Sequence, residues 1–315
     1  MPGGAGRAGT LPGCGFFIGL IMTETLRTTW EKLAGTIDDA LDRFLPKTTD
    51  PPKPLHRAMR YSVFAGGKRL RPVLCLLTGR LVGGRDRLLL PAACALEMVH
   101  TYSLIHDDLP AMDDDDFRRG KPTAHRKFGE AMAILSGDAL LTFAFETITA
   151  RVRNRDRAAR LCQELSRAAG STGMVGGQVV DVLSEEKKPN RGLVEEIHKR
   201  KTAALIRASV RMGAITGGAN LKVLRTLTRF AEAVGLLFQI TDDLLDETGD
   251  VKRMGKRLRK DAARGKQTYP RAFGIDRTHT VAEQTARKAE VALKTFGKRA
   301  ALLREVPRFI LTRTH

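Results

Sequence analysis

Asp107, Asp108, Asp113, Asp114, Asp115 and Asp116 fall within ten residues of one another, and Arg118 and Arg119 follow at once. Carboxylates this dense repel one another unless they share a cation. Mg²⁺ suits the task, because it takes oxygen ligands and shares its coordination sphere with substrate phosphates. The arginines point the same way, since a guanidinium grips phosphate oxygens in a bidentate fork. Acid cluster and basic pair together match a metal-bridged diphosphate site. The competing reading is a solvated acidic loop.

A second cluster, Asp242, Asp243 and Asp246, weighs against the loop. Asp242 and Asp246 are four apart, so a helix of 3.6 residues per turn puts them on one face, where like charges destabilise it. A shared divalent cation removes that objection. Asp107 and Asp113 are six apart and do not stack on a straight helix, but Pro110 between them ends or kinks it. The chain can then fold Asp113 back towards Asp107. Each cluster follows an apolar helical run, so the positioning elements are two long helices that form opposite walls of one cavity.

Other stretches bring positive charge to that cavity. In YSVFAGGKRLRP, residues 61–72, Gly66 and Gly67 permit close backbone approach or positive φ. Lys68, Arg69 and Arg71 concentrate charge there, and Pro72 can open a helix. The segment reads either as an anion cradle or as a basic helix start. His100 lies seven residues before Asp107, on nearly the same helix face and about 10 Å away along the axis. It serves either as a core residue or as a ligand. Gln178 and Asp181, three apart, share a helix face. VKRMGKRLRKDAARGKQTYP, with Lys256 and Lys266, reads as a mobile basic loop able to close over phosphates.

DDLPAMD at 107–113, RRG at 118–120 and DDLLD at 242–246 resemble the paired motifs of the trans-isoprenyl diphosphate synthases. The resemblance is closest to the bacterial type of farnesyl diphosphate synthase and runs from about Leu26 to the C-terminus. It implies an all-α isoprenoid synthase fold and Mg²⁺ as cofactor, three ions, with Mn²⁺ as a substitute. Asp107, Asp108, Asp113, Asp242 and Asp246 would be the metal ligands. Asp107, Asp113, Asp242, Arg118 and Lys201 would carry catalysis. Lys68, Arg71, His100 and Arg119 would hold isopentenyl diphosphate. Lys201, Thr202, Gln239, Lys256 and Lys266 match further substrate-binding positions. Tyr102, five residues before Asp107, and Ser103 fall where the family sets product length. A bulky ring there resembles the floor of farnesyl-producing bacterial enzymes.

The activity implied is head-to-tail condensation of isopentenyl diphosphate with dimethylallyl and geranyl diphosphates, giving (E,E)-farnesyl diphosphate. The alternatives are a geranylgeranyl diphosphate synthase, with a longer product, and a non-catalytic subunit of a prenyl synthase. Such subunits commonly lose an acid cluster, and both are intact here. A terpene cyclase would not keep both aspartate motifs together with GGKRLRP. The resemblance also implies a homodimer.

Composition sets the frame. The 315 residues allow one large domain or two modest ones, and aromatics are scarce at 5% while Ala and Leu are plentiful, which favours helices. A single bundle around a central cavity is expected. Residues 1–22, rich in Gly and Pro, read as a disordered extension or an upstream mis-start with Met22 as working first residue, and residues 23–315 as the synthase domain. The formal charge of +19 raises nucleic acid or an anionic membrane as partners. The arginines are scattered, however, and no zinc-finger, RNP or basic-zipper string is present. The four cysteines lack paired spacing and read as reduced thiols of a cytoplasmic protein. No stretch reads as the ~20 apolar residues that span a bilayer, so no stable membrane insertion is expected.

Overall fold

The computed structural model of the chain describes residues 23–185, 187–248 and 266–313. Among these, helices dominate: α1 (Glu24–Phe44), α2 (Lys53–Val63), α3 (Leu70–Leu81), α4 (Asp86–Asp107), α5 (Ala124–Phe128), α6 (Glu130–Arg151), α7 (Arg155–Ala169), α8 (Met174–Val182), α9 (Arg191–Lys201), α10 (Ala203–Thr216) and α11 (Leu221–Thr248). After residue 265 come α12 (Tyr269–Phe273), α13 (Ile275–Ala292), a 3₁₀ segment (Lys294–Ala300) and α14 (Ala301–Thr312).

The apolar pattern decides which helices lie innermost. In α1 the buried residues recur every three or four positions (Leu26, Trp30, Leu33, Ile37, Leu41), so one stripe faces inwards and the other face is wet. Thr23 caps this helix, its hydroxyl accepting from the Leu26 N–H at 3.2 Å. α4 and α10 are apolar almost all round and buried almost all round, as a helix at the centre of a bundle must be. Around α4 pack α3, α6 and α10, and α10 in turn packs on α3, α7 and α11.

The α3–α10 contact is close because it is made through a glycine. A Cβ added to Gly213 would stand 2.2 Å from the Cys75 carbonyl oxygen, a backbone atom that cannot swing aside. Gly213→Ala is therefore expected to destabilise the fold by about 1–3 kcal/mol through overpacking, despite the better helix propensity of alanine. Urea denaturation would measure it.

α4 begins at Asp86, upstream of Pro91, and tolerates that proline in its second turn. α7 starts within the charged stretch RVRNRDR, capped by the Asn154 side chain, which accepts from Arg157 N–H at 2.8 Å. A two-stranded hairpin, β1 (Phe117–Arg118) with β2 (Lys121–Pro122), turns at Gly120, whose φ is +75°. The Asp138 side chain is 60% exposed and stands 3.9 Å from His106. Finally, α4 and α6 are each long and apolar enough to cross a membrane by length and composition. α4 is mostly enclosed by its neighbours, whereas α6 is covered on one side only.

Candidate active site

A cavity of about 1860 Å³ opens at the C-terminal ends of α4 and α11. Asp107 and Asp113, from the end of α4 and the turn after it, and Asp242 and Asp246, from α11, all line it. The first pair is brought together by the turn after α4. The Asp113 N–H donates to the Asp107 carbonyl at 2.8 Å, Asp115 N–H to the Asp108 carbonyl at 3.2 Å, and Asp114 takes a left-handed φ of +47°. Helix termination before Pro110 therefore folds Asp113 back beside Asp107, as the proline spacing predicts.

Burial pushes the Asp107 carboxyl up to about 6. The Lys201 ammonium opposes that rise and the neighbouring Asp113 carboxylate adds to it. Asp113 is met by Lys266 Nζ at 3.2 Å, and Asp242 by Arg313 Nη2 at 3.2 Å. The acidic walls are thus crowded, partly dry and already drawing cations. Among the described residues no three His, Cys, Asp or Glu side chains close into a metal cage. Oxygen donors in opposed pairs, with room between them, suit Mg²⁺, which uses one or two carboxylates and completes its shell with water and substrate phosphate.

The second aspartate of each DD pair plays a different part. Asp108 is buried and held by the Arg118 fork, with Nε at 2.8 and 2.9 Å from its two oxygens. Both of its oxygens accept from Arg118, so Asp108 orients that guanidinium. Asp243 likewise accepts from Tyr269 N–H at 2.9 Å and Gln239 Nε2 at 3.1 Å, and lies 3.3 Å from His198 Nε2. Thr202 donates to Gln239, so Thr202, Gln239 and Asp243 form a chain. That chain braces α9 and α11 together beneath the cavity.

The basic cradle forms the third side. Gly66 and Gly67 both have positive φ, at +103° and +126°. A Cβ on Gly67 would fall 2.5 Å from the Arg119 guanidinium carbon. Arg119 itself donates to the Gly66 carbonyl, and the Lys68 carbonyl accepts from Trp30 Nε1 at 2.7 Å. Arg71 is half-buried and lines the cavity, and its Nε is buried with no hydrogen-bond partner in the protein. His100 lies beside it, its imidazole held well below the ordinary value by burial and by the Arg71 charge. It is neutral at pH 7.

Burial and the nearby Arg313 lower the Lys68 ammonium to about 8, against the pull of Asp242. Its charge is therefore lost as pH rises through about 8. The KM for the anion it holds is expected to climb between pH 7.5 and 9, and Lys68→Arg should flatten that rise because arginine stays charged. Steady-state kinetics across this range would check it. A KM–pH profile unchanged in the variant would remove Lys68 from the cradle.

The remaining predicted residues are placed as follows. Lys201 pairs with Asp181 at 2.6 Å, and with Gln178 both line the cavity. Tyr102, 6% exposed, lines it too and meets the His106 ring edge-to-face. Ser103 donates to the His100 carbonyl at 2.9 Å. Lys256 lies outside the described residues, as does most of the basic segment expected to close over phosphates. Arg313 escaped sequence reasoning: it stacks 4.0 Å over the Phe238 ring and donates to the Phe238 carbonyl and to Thr241 as well as to Asp242.

Comparison with known proteins decides the family. The description polyprenyl synthetase matches residues 52–305. The chain belongs to the polyprenyl synthetase family. It is 46% identical over 286 residues to geranylgeranyl pyrophosphate synthase 4 of Arabidopsis thaliana, covering 90% of this chain and 76% of that protein. It is 48% identical to the heterodimeric geranylgeranyl pyrophosphate synthase large subunit 1 of the same plant, covering 84% and 72%. A crystal structure of an FPP/GFPP synthase from Zymomonas mobilis superposes with a TM-score of 0.82 at 37% identity, covering 91% of this chain and 99% of that one. The polyprenyl synthetase chain is thus a prenyltransferase with the isoprenoid synthase fold, and the cavity between α4 and α11 is its candidate catalytic chamber.

Proposed function

We propose that this prenyltransferase couples isopentenyl diphosphate head-to-tail to an allylic diphosphate, with Mg²⁺ as the cofactor. The observation that carries the reading is the convergence of Asp107 and Asp242 on one cavity, opposite the Lys68–Arg71 cradle. Asp107, Asp113, Asp242 and Asp246 would hold the metal, which when bound neutralises a diphosphate leaving group. Arg118, Lys201 and Lys266 donate to the departing diphosphate oxygens and stabilise the charge that develops there. Lys68, Arg71, His100 and Arg119 hold the diphosphate of isopentenyl diphosphate, so that its double bond faces the allylic carbon. The new C–C bond forms at that carbon as its C–O bond breaks. A proton is then lost from the isopentenyl unit to the departing diphosphate, leaving a chain five carbons longer. No side chain serves as a nucleophile.

The names of the relatives favour geranylgeranyl diphosphate, the C20 product. One observation favours the C15 product, farnesyl diphosphate: the Tyr102 ring stands in the cavity wall one and a half turns below Asp107. Turnover of dimethylallyl, geranyl and farnesyl diphosphates with labelled isopentenyl diphosphate, followed by chain-length chromatography, tests both readings. Accumulated C20 supports the first, an arrest at C15 supports the second, and no elongated product defeats coupling altogether.

The open side of α6 supports assembly with a second copy. Ile134 and Leu135 on α6 are 44% and 54% exposed. Sedimentation at micromolar concentration should give a dimer.

A further inference from the structure

Arg69 stands between the two cradle residues Lys68 and Arg71, yet its own guanidinium is only 4% exposed and fully engaged within the protein. Its Nε donates to Asp38 of α1 at 2.8 Å, its Nη1 to Glu97 of α4 at 2.7 Å, and its Nη2 to the Val63 carbonyl at the end of α2, also at 2.8 Å. One planar fork thus ties the start of α3 to three other elements. The Arg69 backbone has a φ of +51°, a left-handed conformation that a non-glycine residue keeps only when its surroundings hold it there.

Glu97 is the other half of this device. It is 2% exposed in a helix that is otherwise apolar over Leu88–Val99, and it lies one turn before His100 and three turns before Asp107. Its second oxygen is unpartnered inside the protein. A buried carboxylate of this kind is strongly unfavourable without its cation, so the pair is held together by the cost of separating it.

We infer that the Arg69–Glu97 pair is a strut that fixes the register of the Lys68–Arg71 cradle against α4, and so sets the distance between the two diphosphate subsites. The inference rests on the coupling reaction proposed above. Two carbons must meet at about 3–3.5 Å for that reaction, and a misplacement of about 1 Å costs roughly 10²-fold in rate. A cradle free to shift along α4 would bind isopentenyl diphosphate in the wrong place while leaving the allylic subsite intact. Arg69 and Glu97 are positioning residues: their side-chain charges are directed at each other.

The test uses two variants of the full chain. Arg69→Lys keeps the charge but lacks the planar fork that reaches three acceptors. Arg69→Met combined with Glu97→Gln removes both buried charges at similar volume and leaves only Asp38, whose side chain is 45% exposed and can be hydrated, without its partner. The expected result is a KM for isopentenyl diphosphate raised about tenfold or more in both, with the allylic KM within about twofold of wild type. The double variant should keep a Tm close to that of wild type. Wild-type isopentenyl KM in both variants would overturn the strut. So would an equal rise in both KM values, the mark of general loosening. A wild-type chain that fails to couple the two substrates at all would instead overturn the functional reading, and the strut with it.

Discussion

Asp107→Asn is expected to lower kcat about 10³-fold, roughly 4 kcal/mol at tenfold per 1.4 kcal/mol. The amide keeps the shape of the carboxylate but loses the charge that holds a cation against the departing diphosphate. The same change is expected to leave the metal-free protein at least as stable as wild type. Burial and Asp113 push the Asp107 carboxyl up to about 6, so at pH 7 its ionised form is carried at a cost. That cost is present above about pH 6 and disappears as pH falls below the carboxyl's ordinary range near 4. Loss of turnover with unchanged or raised Tm would place the residue in function. Equal loss of both would make Asp107 a structural residue.

The second large effect is on product identity. Tyr102→Ala is expected to lengthen the main product by at least one five-carbon unit. Tyr102 is five residues before Asp107, about 7.5 Å further down α4 at 1.5 Å per residue. In the proposed reaction the growing chain would extend from the diphosphate into this part of the chamber, where the Tyr102 ring fills space that an alanine would open. Its contact with His106 holds it in place. Chromatography of the hydrolysed products would show the shift, and an unchanged chain-length distribution would remove Tyr102 from the wall.

The sequence made the cavity-facing carboxylates Asp107, Asp113, Asp242 and Asp246 legible for a physical reason. Asp242 and Asp246 repel at helical spacing, and Pro110 requires a turn that returns Asp113 to Asp107, so both patterns carry their geometry with them. Asp108 and Asp243 were less legible, because two adjacent aspartates look alike until packing commits the second of each pair to Arg118 or to Tyr269. Arg69 was hidden in the same way among three cradle cations. Glu97 did leave a signal: a single charge in an apolar run demands a buried cation, and Arg69 is that cation. Arg313 left none, since its role depends on where α14 brings the end of the chain. α7 was obscured by the charged residues that cover its wet face.

Binding of inorganic diphosphate, measured by calorimetry with and without Mg²⁺, tests the central claim most directly. The proteins to compare are wild type, Asp107→Ala, Asp242→Ala and the double variant. If both walls clamp one metal-bridged diphosphate, wild type binds it only with Mg²⁺ and each single variant loses about 10²-fold or more in affinity. The double variant then loses little beyond either single one, because residues acting as a unit are not additive. Mg²⁺-independent binding, or losses that simply add, would mean that the two aspartate walls act on separate sites and would contradict the account.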